Sequence, residues 1–400
     1  MSDAAQLALH GGTPVRATLL PYGHQQIEED DIAAVVAVLR SDWLTTGPNV
    51  EEFERAVADW IGARFAVVFS SGTAALHGAV FAAGLGEGDQ AITSPLTFAA
   101  TANCLVYQGA TPVFADVCED TLTIDPNEIA KRITPRTKAI LPVDYAGHPA
   151  DLDAIRELAG RHNLIVIEDA AHALGATYCG KRVGTLSEMT MFSFHPVKHI
   201  TTGEGGVITT NDAVLAERMK LFRNHGINSD ARKRQEAGGW FYEMVALGYN
   251  YRLTDIGCVL GLSQLKRLDA NVARRRAIAA QYTDAFSRMP GIVPPFVRSG
   301  VEPAWHLYPI RIDRRFLTVD RAEIFRALRA ENLGVNVHYI PVHQHPYYRE
   351  RFGYRGGEYP NAETAYESLI SLPMFHGMTD QDVADVIRAV EKVVNAFGVR

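Results

Sequence analysis

The sequence predicts an α/β protein in two parts. A large domain with a mostly parallel central sheet occupies residues 1–253, N-terminal segment included. A linking helix and a smaller C-terminal α/β domain occupy 254–400. Three observations carry this expectation. Near-continuous β-branched runs alternate with helical segments to about residue 210, as expected of strands covered on both faces. The texture changes after Leu253. A chain of 400 residues also exceeds one core of ordinary size.

The elements follow in order. Residues 48–62 open with Pro48-Asn49 and place Phe53, Val57, Trp60 and Ile61 at helical spacing. RFAVVF at 64–69 reads as a buried strand; Ser70-Ser71-Gly72-Thr73 breaks it, and an Ala/Leu-rich helix runs to about Gly84. The unit of strand, small-residue turn and helix then recurs. AIT at 91–93 precedes a helix from about Thr97, and KAILPV at 138–143 precedes a helix over 151–162. LIVIE at 164–168, TMFSF at 190–194 and GVITT at 206–210 complete the strands. Beyond Leu253 one long helix is expected over 254–288. HLYPIRI (306–312), a helix near 320–332, VNVHYI (335–340) and helices near 361–370 and 379–397 follow.

Composition narrows the function. Apolar residues are 47% and charged residues 21%, the balance of a folded globular protein. Lys plus Arg is 39 against 46 acids, a net −7 without a basic block, which argues against a nucleic-acid binder. No window approaches the ~20 apolar residues of a membrane span. Met-Ser-Asp-Ala-Ala-Gln lacks a charged n-region before an apolar core. The four cysteines show no C-x-x-C spacing and read as buried small hydrophobes. The expectation is a cytoplasmic enzyme.

Four segments carry candidate chemistry. Asp169 follows the LIVIE strand, at the strand end where α/β folds place ligands, although an N-cap explains it equally well alone. Lys198 lies in SFHPVKHITTGEGG (193–206); a single lysine is usually a solvated surface group. Ser71-Gly72-Thr73 offers backbone N–H groups and hydroxyls at a helix N-terminus, which suits a phosphate or ordinary capping. GYNYR (248–252) sets Asn250 and Arg252 among aromatics. One cofactor explains the set economically. Pyridoxal 5′-phosphate (PLP) requires a lysine amine for its Schiff base, a carboxylate for its pyridine nitrogen and donors for its phosphate.

The segments SSGTAALH (70–77), EDAAHALGA (168–176), SFHPVKHITTGEGG and GYNYRLTDI (248–256) resemble the DegT/DnrJ/EryC1/StrS family, fold-type-I PLP-dependent sugar aminotransferases. The likeness runs from about Gly11 to the C-terminus. It implies Lys198 as the Schiff-base lysine and Asp169 at the pyridine nitrogen. Gly72, Thr73 and Ser193 would hold the phosphate, Phe98 would stack on the ring and His172, often glutamine in the family, would lie beside it. Asn250 would reach the neighbouring subunit's cofactor, making a homodimer with shared sites. Trp43, Thr45 and His343 would contact the sugar nucleotide. Arg223-Asn224-His225-Gly226 could supply charge near a diphosphate, or be an exposed helix end.

The implied reaction is ping-pong transfer from L-glutamate to a nucleotide-linked keto sugar. FHPVKHITTGEGG with HYIPVHQHPYY most resembles the branch that aminates C4 of UDP-4-keto-6-deoxy-N-acetylhexosamines, as in pseudaminic acid synthesis. No metal is expected, because no acid or cysteine near His338, His343 and His345 completes a persuasive ligand set. Two alternatives stand: a PLP enzyme acting on an amino acid, which would need an arginine clamp for the α-carboxylate, and a catalytically silent sugar-nucleotide sensor, for which a retained lysine–aspartate pair is superfluous. Gly84-Leu85-Gly86-Glu87-Gly88 follows a helix rather than a strand, which ranks a dinucleotide-binding dehydrogenase low.

Overall fold

The computed structural model describes residues 6–229, 232, 234 and 238–399; Met1 to Ala5, the start of the segment read for a leader, lie outside them. The first helices are α1 (Glu29–Leu39) and α2 (Pro48–Ile61), the second stopping at Gly62 in the left-handed region, φ 89°. The large sheet then builds from β1 (Phe65–Phe69), α3 (Gly72–Ala82), β2 (Gln90–Thr93), α4 (Ala100–Tyr107), β3 (Thr111–Phe114), α5 (Pro126–Ala130), β4 (Thr137–Leu141), α6 (Leu152–His162) and β5 (Ile165–Asp169). A short hairpin, β6 (Thr177–Tyr178) and β7 (Lys181–Arg182), pairs outside it with Val301–Glu302. β8 (Met189–Ser193), β9 (Gly206–Thr210) and α7 (Ala213–Arg223) complete the unit.

The seven strands lie in the order β1-β9-β8-β5-β4-β2-β3. All are parallel except β9, which runs against both β1 and β8. Alternate side chains enter opposite layers, as the two-residue period requires. Val67, Phe69, Ile167, Met191 and Ile208 pack with α3 and α7, whereas Val68, Phe192 and Val207 pack with Phe53 and Val57 of α2. β3 was not anticipated. It is an edge strand paired only with β2, the position that tolerates Pro112.

Three expectations for the C-terminal half need correction. The helix expected over 254–288 is two, Asp255–Leu265 and Leu268–Phe286. No proline or glycine marks the break. At it, Arg267 donates to Asp30 and Asp31 of α1 at 2.9 and 2.6 Å. The first helix joins the layer of Phe53 through Cys258; the second sends Ile278, Tyr282 and Phe286 into a separate core. VNVHYI is not a strand: Asn336 alone bridges, to Ser371. The side chain of Tyr145 instead binds the His338 carbonyl, and His338 Nδ1 meets Ser371 Oγ at 2.9 Å. The helix expected over 361–370 spans Pro360–Ser368, and Leu369–Leu372 is a strand pairing antiparallel with Tyr308–Ile312. Pro360–Ser368 is a short helix whose successor, LISL, is apolar at all but Ser371 and wholly buried.

The C-terminal core gathers Ile278, Tyr282, Phe286, Tyr308, Ile310, Ile324, Leu372 and Val390, and Leu7 and Leu20 of the N-terminal stretch lie in it too. Its last helix, Asp380–Phe397, starts with a capping box between Thr379 and Asp382, worth about 1 kcal/mol. Among the described residues no helix is long and apolar enough to cross a membrane.

Candidate active site

β1, β5 and β8 point the same way, so their carboxyl ends open on one edge of the sheet. That topology gathers the turn 70–73, Asp169 and the segment 193–198, which together span more than a hundred residues of sequence. Because β9 returns antiparallel beside β8, the residues between them form a closed loop; Phe194 N–H donates to the Gly205 carbonyl at 2.9 Å and Thr202 N–H to the Phe194 carbonyl at 3.1 Å. Lys198 stands on that loop. Gly206 opens β9 against the start of α3. A Cβ there would lie 2.7 Å from the Gly72 Cα and backbone N, so only glycine permits the approach.

Asp169 is buried, and each carboxylate oxygen accepts one hydrogen bond, Oδ2 from the Thr101 hydroxyl at 2.6 Å and Oδ1 from the Ala171 N–H at 3.1 Å. Thr97 lies 2.8 Å from Thr101 and completes a short hydroxyl chain. Burial pushes the Asp169 carboxyl above its usual value, while Thr101, the Ala171 N–H and Lys198 pull the other way. A buried acid with lone pairs to spare is suited to a cationic N–H partner.

Lys198 is partly buried. Its Nζ lies 3.2 Å from His306 Nε2. Burial lowers its pKa to about 7; Asp169 opposes the fall and Arg275 adds to it. The amine is therefore poised between its charged and neutral forms near neutral pH, where a base and nucleophile is most useful. His306 continues into a ring stack, its centroid 4.5 Å from that of His172. His172 Nε2 in turn meets the Tyr339 hydroxyl at 3.0 Å. Burial holds His172, His199 and His306 well below their ordinary values, so the rings beside the lysine are neutral. His172 Nδ1 and His306 Nδ1 are buried without a partner among the described residues.

The turn after β1 forms an anion cradle. Ser71 caps α3 by accepting from the Ala74 N–H at 3.1 Å, leaving the first N–H groups of an 11-residue helix at the sheet edge. Ser193 faces it: a Cβ on Gly72 would lie 3.4 Å from Ser193 Oγ. Acid, amine and cradle thus fit the three parts of PLP, its ring nitrogen, its aldehyde carbon and its phosphate.

The structure does not bring every expected residue to this cluster. Phe98 is 61% exposed, its ring 6.0 Å from that of Tyr339. Trp43 packs against Gly47, and Thr45 bridges to Thr254; Asp255 pins their turn by accepting from Gly47 N–H at 2.7 Å. Asn250 is exposed and bridges to Asn224. His343 is fully buried, its Nε2 3.0 Å from Glu363, among the rings of Phe114, Tyr354 and Tyr359. No described hydrogen bond or ring contact joins Trp43, Thr45, Asn250 or His343 to Lys198. Arg223, considered for a diphosphate, is instead paired with Glu54 and the Val68 carbonyl.

The sequence alone did not single out Thr101, His306 or Arg275, and it offered Tyr339 only within HYIPVHQHPYY. His306 had a signal: it is a polar residue opening the apolar run HLYPIRI. Thr101 had none, for a threonine inside a helix looks like any other.

An α/β sheet that presents a lysine, a buried acid and a helix-terminal anion cradle along one edge fits a PLP-dependent type of site. The comparisons agree. The chain belongs to the DegT/DnrJ/EryC1/StrS aminotransferase family, whose profile matches residues 25–391. It is 45% identical to the spore coat polysaccharide biosynthesis protein SpsC of Bacillus subtilis over 381 residues, 95% of this chain and 98% of that one. Among solved structures it is similar to PseC of Helicobacter pylori, an aminotransferase involved in pseudaminic acid biosynthesis, with 34% identity and a TM-score of 0.88, covering 95% of this chain and 100% of that. A sugar aminotransferase of Streptococcus pneumoniae in its PLP form is also similar, with 31% identity and a TM-score of 0.88, covering 94% of this chain and 99% of that.

Proposed function

We propose that this aminotransferase uses PLP to move an amino group from L-glutamate to C4 of a UDP-4-keto-6-deoxy-N-acetylhexosamine, the reaction of a UDP-4-amino-4,6-dideoxy-N-acetyl-β-L-altrosamine transaminase. The observation that carries the reading is that one edge of the sheet holds a buried acid, a lysine amine that feels its charge, and an anion cradle. When bound, PLP supplies a carbonyl carbon for amine exchange and a protonated ring that withdraws electrons from the substrate carbon. Asp169 holds the ring proton, because its negative charge favours the charged form of its neighbour. Gly72, Thr73 and Ser193 would bind the phosphate, His172 would lie beside the ring, and the exposed Phe98 would have to turn onto it to cover its face.

Lys198 would take a proton from the amine-bearing carbon and return it to the carbon on the other side of the shared nitrogen, in both half-reactions. A base so placed contributes ~10²–10⁴-fold. Its lowered pKa leaves much of it unprotonated at pH 7. On the sugar side we assign Trp43 and Thr45 to the pocket wall. His343 acts through Glu363, which accepts from the Gly357 N–H at 2.8 Å and so holds the 353–359 loop. C4 amination is supported by the PseC likeness and the HYIPVHQHPYY segment.

The experiment is a panel of UDP- and dTDP-linked 3-keto and 4-keto sugars with L-glutamate, read by mass spectrometry. The UDP-4-keto-6-deoxy-N-acetylhexosamine gives the expected amine; conversion only of 3-keto or dTDP sugars overturns the substrate. Conversion of amino acids alone favours the amino-acid enzyme, and no conversion with no cofactor bound favours the sensor.

The active form is a homodimer. Trp240, Leu247, Met244 and Val245 are 83%, 73%, 67% and 57% exposed, an outward apolar cluster of the kind that marks an interaction surface, and Asn250 follows it. If Asn250 serves the partner's phosphate site, inactive Lys198→Ala and impaired Asn250→Ala chains should complement. The mixed dimer holds one site with both residues intact, so unfolding and refolding the mixture should regain activity towards half the parental level per mixed dimer. No gain in verified mixed dimers removes the shared site.

A further inference from the structure

Arg275 is fully buried, yet no acid among the described residues pairs with it. Its guanidinium is held by main-chain carbonyls. Nη1 donates to Trp305, His306 and Met374 at 3.1, 3.3 and 2.9 Å, and Nη2 reaches Val197 at 3.5 Å. Two of these carbonyls matter for the site. Val197 precedes Lys198, and His306 carries the ring that meets the Lys198 amine. One side chain of the helix Leu268–Phe286 therefore ties the lysine loop to the start of the strand Tyr308–Ile312. A buried cation without a counter-ion is costly, and a well-packed apolar side chain would ordinarily be as stable. Stability alone is thus a poor account of it.

We propose that Arg275 is a positioning residue that sets the basicity of Lys198, through its uncompensated charge and through the carbonyls it holds on either side of the amine. This deepens the proposed function and rests on Lys198 acting as its base. The groups around the amine are Asp169 from β5, His172 from the turn after it, His199 on the loop itself, His306, His338 and Arg275. The histidines are held neutral by burial, so Asp169 and Arg275 are the opposing charges. Asp169 favours the charged amine and Arg275 the neutral one. Without Arg275 the balance tips to the acid, and the amine keeps its proton to higher pH.

The test is trace acetylation of Lys198 in cofactor-free protein as a function of pH, read by mass spectrometry of its peptide, since only the neutral amine is acylated. The parent is expected to show a midpoint near 7. In Arg275→Met the midpoint should rise by about one pH unit, so that labelling at pH 7 falls roughly fivefold. Arg275→Lys, which keeps the charge, should stay close to the parent. Should the methionine chain fail to fold, Arg275→Gln removes the charge but keeps two N–H donors and makes the same comparison. A midpoint unchanged in the neutral variants, or displaced equally in Arg275→Lys, overturns the proposal; a merely structural residue would lower the melting temperature without moving it. Borohydride reduction of the PLP-loaded parent reads the cofactor assignment separately. A missing adduct at Lys198 sinks that assignment while leaving the acetylation result standing.

Discussion

Lys198→Ala is expected to abolish turnover while the chain still folds. Losing the base alone costs ~10²–10⁴-fold, and losing the amine that exchanges with substrate removes the route altogether. The fold should persist because the described bond of the Lys198 side chain is the one to His306, and deleting a partly buried amine with a depressed pKa relieves a desolvation cost. Two measurements check this: amine transfer from glutamate, and covalent retention of PLP after borohydride, which should vanish. Unaltered turnover, or an adduct on another lysine, would remove Lys198 from the chemistry.

The second large effect is at Asp169. Asp169→Asn keeps the shape and an acceptor for Thr101, but removes the negative charge that holds a proton on the cofactor ring. A hydrogen bond to a charged group is worth about 1.5–3 kcal/mol, or roughly ten- to a hundredfold in rate. The loss should therefore reach ~10²-fold in kcat, with PLP still bound through the phosphate cradle and Lys198. Near-parental kcat in a PLP-loaded variant contradicts the ring contact. Loss of PLP with kcat restored at high cofactor concentration would show a binding role instead.

The large-domain strands were legible because β-branched runs buried on both faces leave a local imprint, and each ends near its expected residue. The edge strand β3 left little: four residues with a proline at the second position. The division of 254–288 into two helices left none, because Arg267 answers to Asp30 and Asp31 on a helix more than 200 residues earlier. HYIPVHQHPYY was legible as a site segment but not as a shape. His338 is turned to Ser371, Tyr339 to His172 and His343 to Glu363, and these contacts replace the expected strand.

The chain's order of residues determined its α/β class, its family and the set of groups able to act on an amine, because hydrophobic period and motif spacing are properties of a linear string. Only the folded molecule decided that the carbonyl-held guanidinium of Arg275 bears on the charge of Lys198, that a neutral histidine lies beside its amine, and that a threonine hydroxyl grips Asp169. Basicity depends on which charges and how much water surround a group within a few ångströms, and those neighbours come from segments that sequence leaves far apart.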